Sequence, residues 1–332
     1  MNHLVSMNAG ECIGRLRTAS EQFDKRFAFF LGAGCSVSSG IPDAGTVVES
    51  DWLPHLRDIR APHRKDVDAW AKDEFPHYDP MNPSALYGTL IAQLFPLSAE
   101  RQREIERQCD GKFPGFGYAV LAKQVALERG IFNVVLTTNF DDLVADALYL
   151  FTDTRPLVIQ HESLAGYIRS TRTRPIVVKL HGDHRLSPQS TALETAALKR
   201  EVVEQVGTLL QDRGLVFIGY GGNDHGICKM LAALGPDALP WGVFWLGRKE
   251  PEGIIRDWLE VRNAFWVKID DFDEFMFLVK SAFNFPDPDP SRIENVFRAF
   301  RKKQNELSRG PKRCPVQCLK WFIRIAQLRH WQ

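Results

Sequence analysis

The sequence predicts an α/β fold built on a doubly wound parallel sheet with an inserted helical lobe. Three observations predict it. Apolar, β-branched or aromatic runs recur along the chain, and helix-length amphipathic stretches separate them. Such near-continuous apolar strands belong to a sheet covered on both faces. Four of the runs end in polar or glycine-rich segments, as strands do where an open parallel sheet binds its ligand. Between residues 46 and 130 the strand pattern lapses into a Trp-, Pro-, His- and charge-rich stretch.

The elements follow in order. FAFFL (27–31) reads as the first strand and leads into GAGCS. Residues 46–130 read as the helical insertion, with one clear helix at SAERQREIERQCD. NVVLTT (133–138) runs into NFDD and then into the helix DDLVADALYL, and PIVVKL (175–180) runs into HGDH. The amphipathic segment LETAALKREVVEQVGTLL precedes LVFIG (215–219), which enters YGGND. VFWLG (243–247) and FWVKI (265–269) are the last strand candidates. Phe272, Phe275, Met276, Val279 and Phe283 then share one helical face. The repeated Pro-Asp of 285–290 reads as a linker, so the main domain is expected over 1–285 and a helical, basic tail over 286–332. In that tail Ile293, Val296, Phe297 and Phe300 suggest one amphipathic helix, and Leu319, Phe322, Ile323 and Ala326 a second.

The hydrophobic share of 44% and the charged share of 25% describe a globular chain with ample core. Net charge is +1, but its distribution is uneven. From Arg301 onward nine Lys/Arg stand against one acidic residue, Glu306, so the body is acidic and the tail basic. The tail could touch nucleic acid through phosphates, dock on a protein or remain solvated. No run is long enough for a signal peptide or a membrane span, and six scattered cysteines do not form a disulfide framework. A cytoplasmic location is the expectation.

Four segments carry candidate chemistry. Gly32-Ala33-Gly34-Cys35-Ser36, continuing to Gly40-Ile41-Pro42-Asp43, is a turn whose glycines permit close backbone approach. The third glycine of a dinucleotide fingerprint is missing, since position 37 is Val. Thr137-Thr138-Asn139-Phe140-Asp141 follows a strand, where short polar side chains also cap helices. Lys179-Leu180-His181-Gly182-Asp183-His184 places an imidazole at a strand end among polar neighbours, the setting of a general base. Gly219-Tyr220-Gly221-Gly222-Asn223-Asp224 is a second glycine-rich turn entering a helix.

Taken together and in this order, the four segments resemble the sirtuin family, in its bacterial NAD-consuming branch. The resemblance spans about residues 25–285 and implies a Rossmann-like catalytic domain that takes NAD+ as its substrate and needs no metal. It implies that Gly32, Ala33, Gly34 and Ser36 cradle the pyrophosphate, with Asp43 and Thr138 beside the cofactor. Asn139 would place water at the nicotinamide ribose, Asp141 would support the nicotinamide pocket and His181 would be the catalytic base. Gly219, Tyr220, Gly221 and Asp224 would lie near the adenosine half. The activity implied is NAD+ glycohydrolysis to nicotinamide and ADP-ribose, in an oligomeric antiphage effector. A separate sensor, a ring ATPase or an Argonaute-like protein, would release it.

Two departures bear on that activity. Residues 182–218 contain no cysteine, so the paired-cysteine zinc ribbon of the protein deacetylases is absent. The Phe-Arg that follows GIPD in those enzymes is replaced by Ala44-Gly45. Both changes favour water as the attacking group. A deacylase or ADP-ribosyltransferase, and a non-catalytic nucleotide sensor, are the alternatives. Cys35 reads as a small buried side chain under the turn rather than a nucleophile. Cys314, Cys318 and His330 offer too few ligands for a metal, and His55, His63, His77, Trp52 and Trp70 suit packing of the insertion.

Overall fold

The computed structural model describes residues 4–287 apart from 23–24, 128–129, 170–173, 186–187 and 197, and beyond them residues 298, 301, 302, 304 and 305. The chain forms two units, 1–288 and 289–332. In the second, all five described residues are helical. The two tail helices expected from the sequence, with Cys314, Cys318 and His330, lie outside the described residues.

The first unit is one parallel sheet. Its strands are β1 (Val5–Met7), β2 (Arg26–Leu31), β3 (Val134–Thr137), β4 (Leu157–Ile159), β5 (Ile176–Lys179), β6 (Arg213–Ile218), β7 (Val243–Gly247) and β8 (Phe265–Lys268). They lie in the order β1-β8-β7-β6-β2-β3-β5-β4, every neighbouring pair parallel. Every residue of β3, β5 and β6 is buried, which explains why apolar runs rather than alternation marked them. β1 and β4 are three-residue edge strands. No pattern of period two can show itself over so few residues, so neither is legible in the sequence.

The helices are α1 (Ala9–Gln22), α2 (Ala44–Val47), α3 (Leu53–Arg60), α4 (Val67–Glu74), α5 (Tyr87–Leu94), α6 (Ser98–Cys109), α7 (Phe116–Val125), α8 (Leu143–Phe151), α9 (Arg200–Leu210), α10 (His225–Ala232), α11 (Gly253–Val261) and α12 (Phe272–Ala282). One face of the sheet is covered by α1, α7, α8 and α12 and the other by α9, α10 and α11, each over its own apolar cluster. The stretch expected as one insertion divides in two. Helices α2 to α6 close around a third cluster that includes Trp52, Trp70, Leu90 and Ile105. Helix α7 joins the core of the sheet through Tyr118, Val120 and Leu121.

Chain order places the site. β2 pairs with β3 on one side and with β6 on the other. The connection after β2 runs towards β3 and the one after β6 towards β7, in opposite directions, and a crevice opens at the carboxyl ends of β2 and β6. Both glycine-rich turns begin there.

Candidate functional site

The two turns at the crevice interlock. Gly32 N donates to Ile218 O at 3.0 Å and Gly34 N to Gly219 O at 2.9 Å, extending the β2–β6 ladder past the strand ends. A Cβ on Gly32 would stand 2.5 Å from both Gly219 O and Tyr220 Cα, and one on Gly34 2.9 Å from Gly219 Cα. Gly219 has φ +64° and would drive a side chain into Cys35 N at 2.6 Å. The glycines expected to admit a pyrophosphate thus first admit one turn to the other. Cys35 is fully buried with its thiol on Ile218 O, and burial, reinforced by the charge of Asp141, pushes that thiol well above its ordinary pKa. It is a packing residue, not a nucleophile.

Ser36 is also buried, and its hydroxyl turns inward. It donates to Asp141 Oδ2 at 2.8 Å, accepts from Asn139 Nδ2 at 3.1 Å and lies 2.8 Å from the Tyr118 hydroxyl. One hydroxyl donates once and accepts twice, so with Asp141 ionised the Tyr118 O–H must donate to Ser36. Leu143 N fills Asp141 Oδ1 at 3.0 Å. Burial raises the Asp141 carboxyl above its usual range, more than the Ser36 and Leu143 donors lower it.

This network fixes Asn139. Its Nδ2 faces Gly32 O at 3.1 Å, a group that can only accept, so its Oδ1 must point the other way. That oxygen is buried and has no hydrogen-bond partner among the described residues. Thr137 holds the turn beneath: its hydroxyl donates to Leu31 O and accepts from Asn139 N. Thr138 continues the ladder through N–H to Leu31 O, and Asp43 caps α2 by accepting from Thr46 N at 2.8 Å.

A buried ammonium secures the loop after β5. Lys179 Nζ donates to Phe140 O at 2.9 Å, to Asp142 Oδ1 at 2.7 Å and to Asp183 Oδ2, which uses all three of its protons. Its side chain is 2% exposed and that of Asp183 3%. The pairing with Lys179 holds the Asp183 carboxyl below its usual range even though burial, the largest single effect, raises it. His184 adds Nδ1 on Phe140 O at 3.0 Å. Asp142, Asp183 and His184 are grouped closely enough to hold a cation, and the Lys179 ammonium already donates to both carboxylates.

The same loop sets His181 against β3 and β6. Leu180 N donates to Thr137 O at 2.8 Å, and the His181 and Phe140 rings lie 6.5 Å apart. His181 Nε2 is 2.6 Å from Asp224 Oδ2, off the axis of a linear hydrogen bond. Tyr220 packs against Phe30, Phe217 and Trp245, and Gly222 (φ +78°) approaches Ile255 closely. Asn223 reaches the helical lobe, exchanging amide hydrogen bonds with Asn82 and donating to Ser84 Oγ at 2.9 Å.

The four segments therefore close a circuit. Asn139 bonds the first turn, the first turn bonds the second, the second ends at Asp224 against His181, and the His181 ring lies tilted towards that of Phe140, the residue after Asn139. Of the residues singled out in the sequence, Asn139, His181, Gly32, Gly34, Ser36, Asp141, Gly219 and Asp224 belong to that circuit. Asp43 stands outside it, as the α2 cap. Tyr118 and Lys179 were missed. Tyr118 lies inside an ordinary apolar helix, and nothing local tells where its hydroxyl goes. Lys179 did leave a signal, as a cation ending a fully apolar strand with an aspartate four residues on.

Residues 133–251, which contain Asn139, His181 and Asp224 but not the first glycine turn, match the family model of the SIR2-like domain. No curated protein matches the chain. Among solved structures, a Sir2 homologue with a histidine-to-asparagine substitution, in complex with ADP-ribose, is similar at 14% identity. That match covers 82% of this chain and 97% of that one at a TM-score of 0.43. A Sir2 homologue bound to NAD is also similar at 14% identity, covering 86% and 97% at a TM-score of 0.40. Over residues 133–251, then, the chain is similar to the SIR2-like domain.

Proposed function

We propose that the protein is an NAD+ glycohydrolase that cleaves the nicotinamide–ribose bond. The observation that supports this most is the buried Oδ1 of Asn139, without a partner among the described residues, in the circuit of four loops that also carries His181. Because Nδ2 is held by Gly32 O, the amide can offer only an acceptor. It suits a donor, the O–H of a ribose hydroxyl or of water.

The bond to be cleaved joins ribose C1′ to a pyridinium that leaves as neutral nicotinamide, through a state with oxocarbenium character. Asn139 Oδ1 would fix the O–H of the attacking water or of the ribose. His181 would accept the proton released as water adds to C1′. The interlocked glycine turns would hold the dinucleotide at the switch point of the sheet, and helices α2 to α6 would limit access of other water. On the motif resemblance we extend the reading to an oligomeric, cytoplasmic effector that depletes NAD+ during antiviral defence. A separate sensor or activator, a ring ATPase or an Argonaute-like protein, would release it. The basic residues from Arg301 onward are candidates for that contact or for nucleic acid. No helix among the described residues is long and apolar enough to cross a membrane.

The test is nicotinamide release from NAD+ by the full chain, with and without an acylated peptide, and with candidate activators. Release that needs no peptide and falls at least about 100-fold in His181→Ala is expected. Peptide-dependent release would make the protein a transferase, and a His181→Ala variant of wild-type rate would end the assignment.

A further inference from the structure

Asp224 was expected beside the adenosine half of the ligand, but both of its oxygens are engaged within the protein. Oδ1 accepts from Ile227 N at 3.0 Å and caps α10. Oδ2 lies 2.6 Å from His181 Nε2, with the two side chains 12% and 9% exposed. His181 Nδ1 has no hydrogen-bond partner among the described residues. The fold thus presents one ring nitrogen to a carboxylate and leaves the other free.

We infer that Asp224 is the positioning residue of His181: it keeps the proton of the neutral imidazole on Nε2 and leaves the Nδ1 lone pair as the base. This rests on the reading of His181 as the proton acceptor of the glycohydrolase. When water adds to C1′ and nicotinamide leaves with the electron pair of the broken C–N bond, the water proton passes to Nδ1. Nε2 keeps its own proton, and the Asp224 carboxylate stabilises the imidazolium without taking one up, as in other carboxylate–histidine pairs. Burial alone would raise the Asp224 carboxyl, but His181 and the N–H groups of Ile227 and Gly226 hold it below its usual range. It remains an anion throughout.

Asp224→Asn separates this role from helix capping, because Asn caps as well as Asp. Its Oδ1 must stay on Ile227 N, so its Nδ2 meets His181. Donor then faces donor unless the imidazole proton moves to Nδ1, where it blocks the base. In the full chain with 15N-labelled histidine, signals of His181 are identified by their loss in His181→Ala. The wild-type neutral ring is expected as Nε2–H, and the ring in Asp224→Asn as Nδ1–H. The rate constant kcat for nicotinamide release falls about 100-fold or more, with KM for NAD+ changed less than about threefold. A wild-type ring already in the Nδ1–H form, or an unchanged form in Asp224→Asn, overturns the proposal without reference to turnover. A ring that changes form in a chain that never hydrolyses NAD+ upholds the pairing and removes the glycohydrolase reading.

Discussion

Replacing Lys179 with Met keeps an unbranched side chain one atom shorter and removes its charge and its three donors. The consequence differs among the acceptors left behind. Asp142 is 33% exposed and is resolvated by water. Phe140 O keeps His184 N at 3.3 Å and His184 Nδ1 at 3.0 Å. Asp183 is the one stranded: its side chain is 3% exposed, and its remaining contacts are Arg185 N at 2.9 Å and His184 Nδ1 at 3.6 Å. Breaking a buried pair by removing one partner costs about 3–5 kcal/mol, and with a single stranded charge the lower end applies, about 3 kcal/mol. At roughly 2 °C per kcal/mol for a chain of this size, Tm falls by about 6 °C. Adding Asp183→Asn removes the stranded charge, so the double variant should recover about 1–3 kcal/mol over additivity. Thermal unfolding of the four proteins of this cycle measures both quantities. A Lys179→Met variant melting within about 1 °C of wild type, or a strictly additive double variant, would refute the argument.

Two further outcomes follow from the same geometry. Gly32→Ala places a methyl 2.5 Å from the backbone of Gly219 and Tyr220, atoms that cannot move aside singly, and is expected to destabilise by about 3 kcal/mol or more and to depress nicotinamide release. Gly14→Ala, an exposed position in α1 with nothing within 4 Å of the new methyl, is the matched control and should stabilise by about 0.5–1 kcal/mol; similar melting of the two would refute the interlock. Asp141 gives a pH dependence. Its folded-state pKa is raised, so its contribution is fully present in acid and is lost as pH rises through the folded value. Asp141→Asn stays neutral and can donate to Ser36, whose O–H then turns to Tyr118. Its Tm should match wild type in acid and exceed it increasingly toward neutral pH, and a gap that narrows toward neutral pH would refute the argument.

The residues themselves made six of the eight described strands legible. β2, β3, β5 and β6 are buried on both faces, so each had to be an uninterrupted apolar run, and β7 and β8 carried enough of the same signal. β1 and β4 were not legible, since three residues at a sheet edge carry neither period nor burial contrast. The helical lobe announced itself by its loss of strand pattern, but its true end did not: α7 is as apolar as any insertion helix could be, and only packing assigns it to the core of the sheet. The glycine turns, the Thr-Thr-Asn-Phe-Asp segment and the His181 loop could be found because backbone turns at strand ends need particular residue types locally.

What the sequence determined alone was the local chemistry: which segments form buried strands, which glycines and short polar residues end them, and that Asn139 and His181 stand at strand ends. Only the tertiary structure decided who faces whom. It turned the Ser36 hydroxyl inward, closed Gly32 against Gly219, set Lys179 between two loops and placed Asp224 against His181. Those choices depend on the order of strands across the sheet, with β2 between β3 and β6. Strand order is fixed by the packing of helices on both faces, and no local run of residues encodes it.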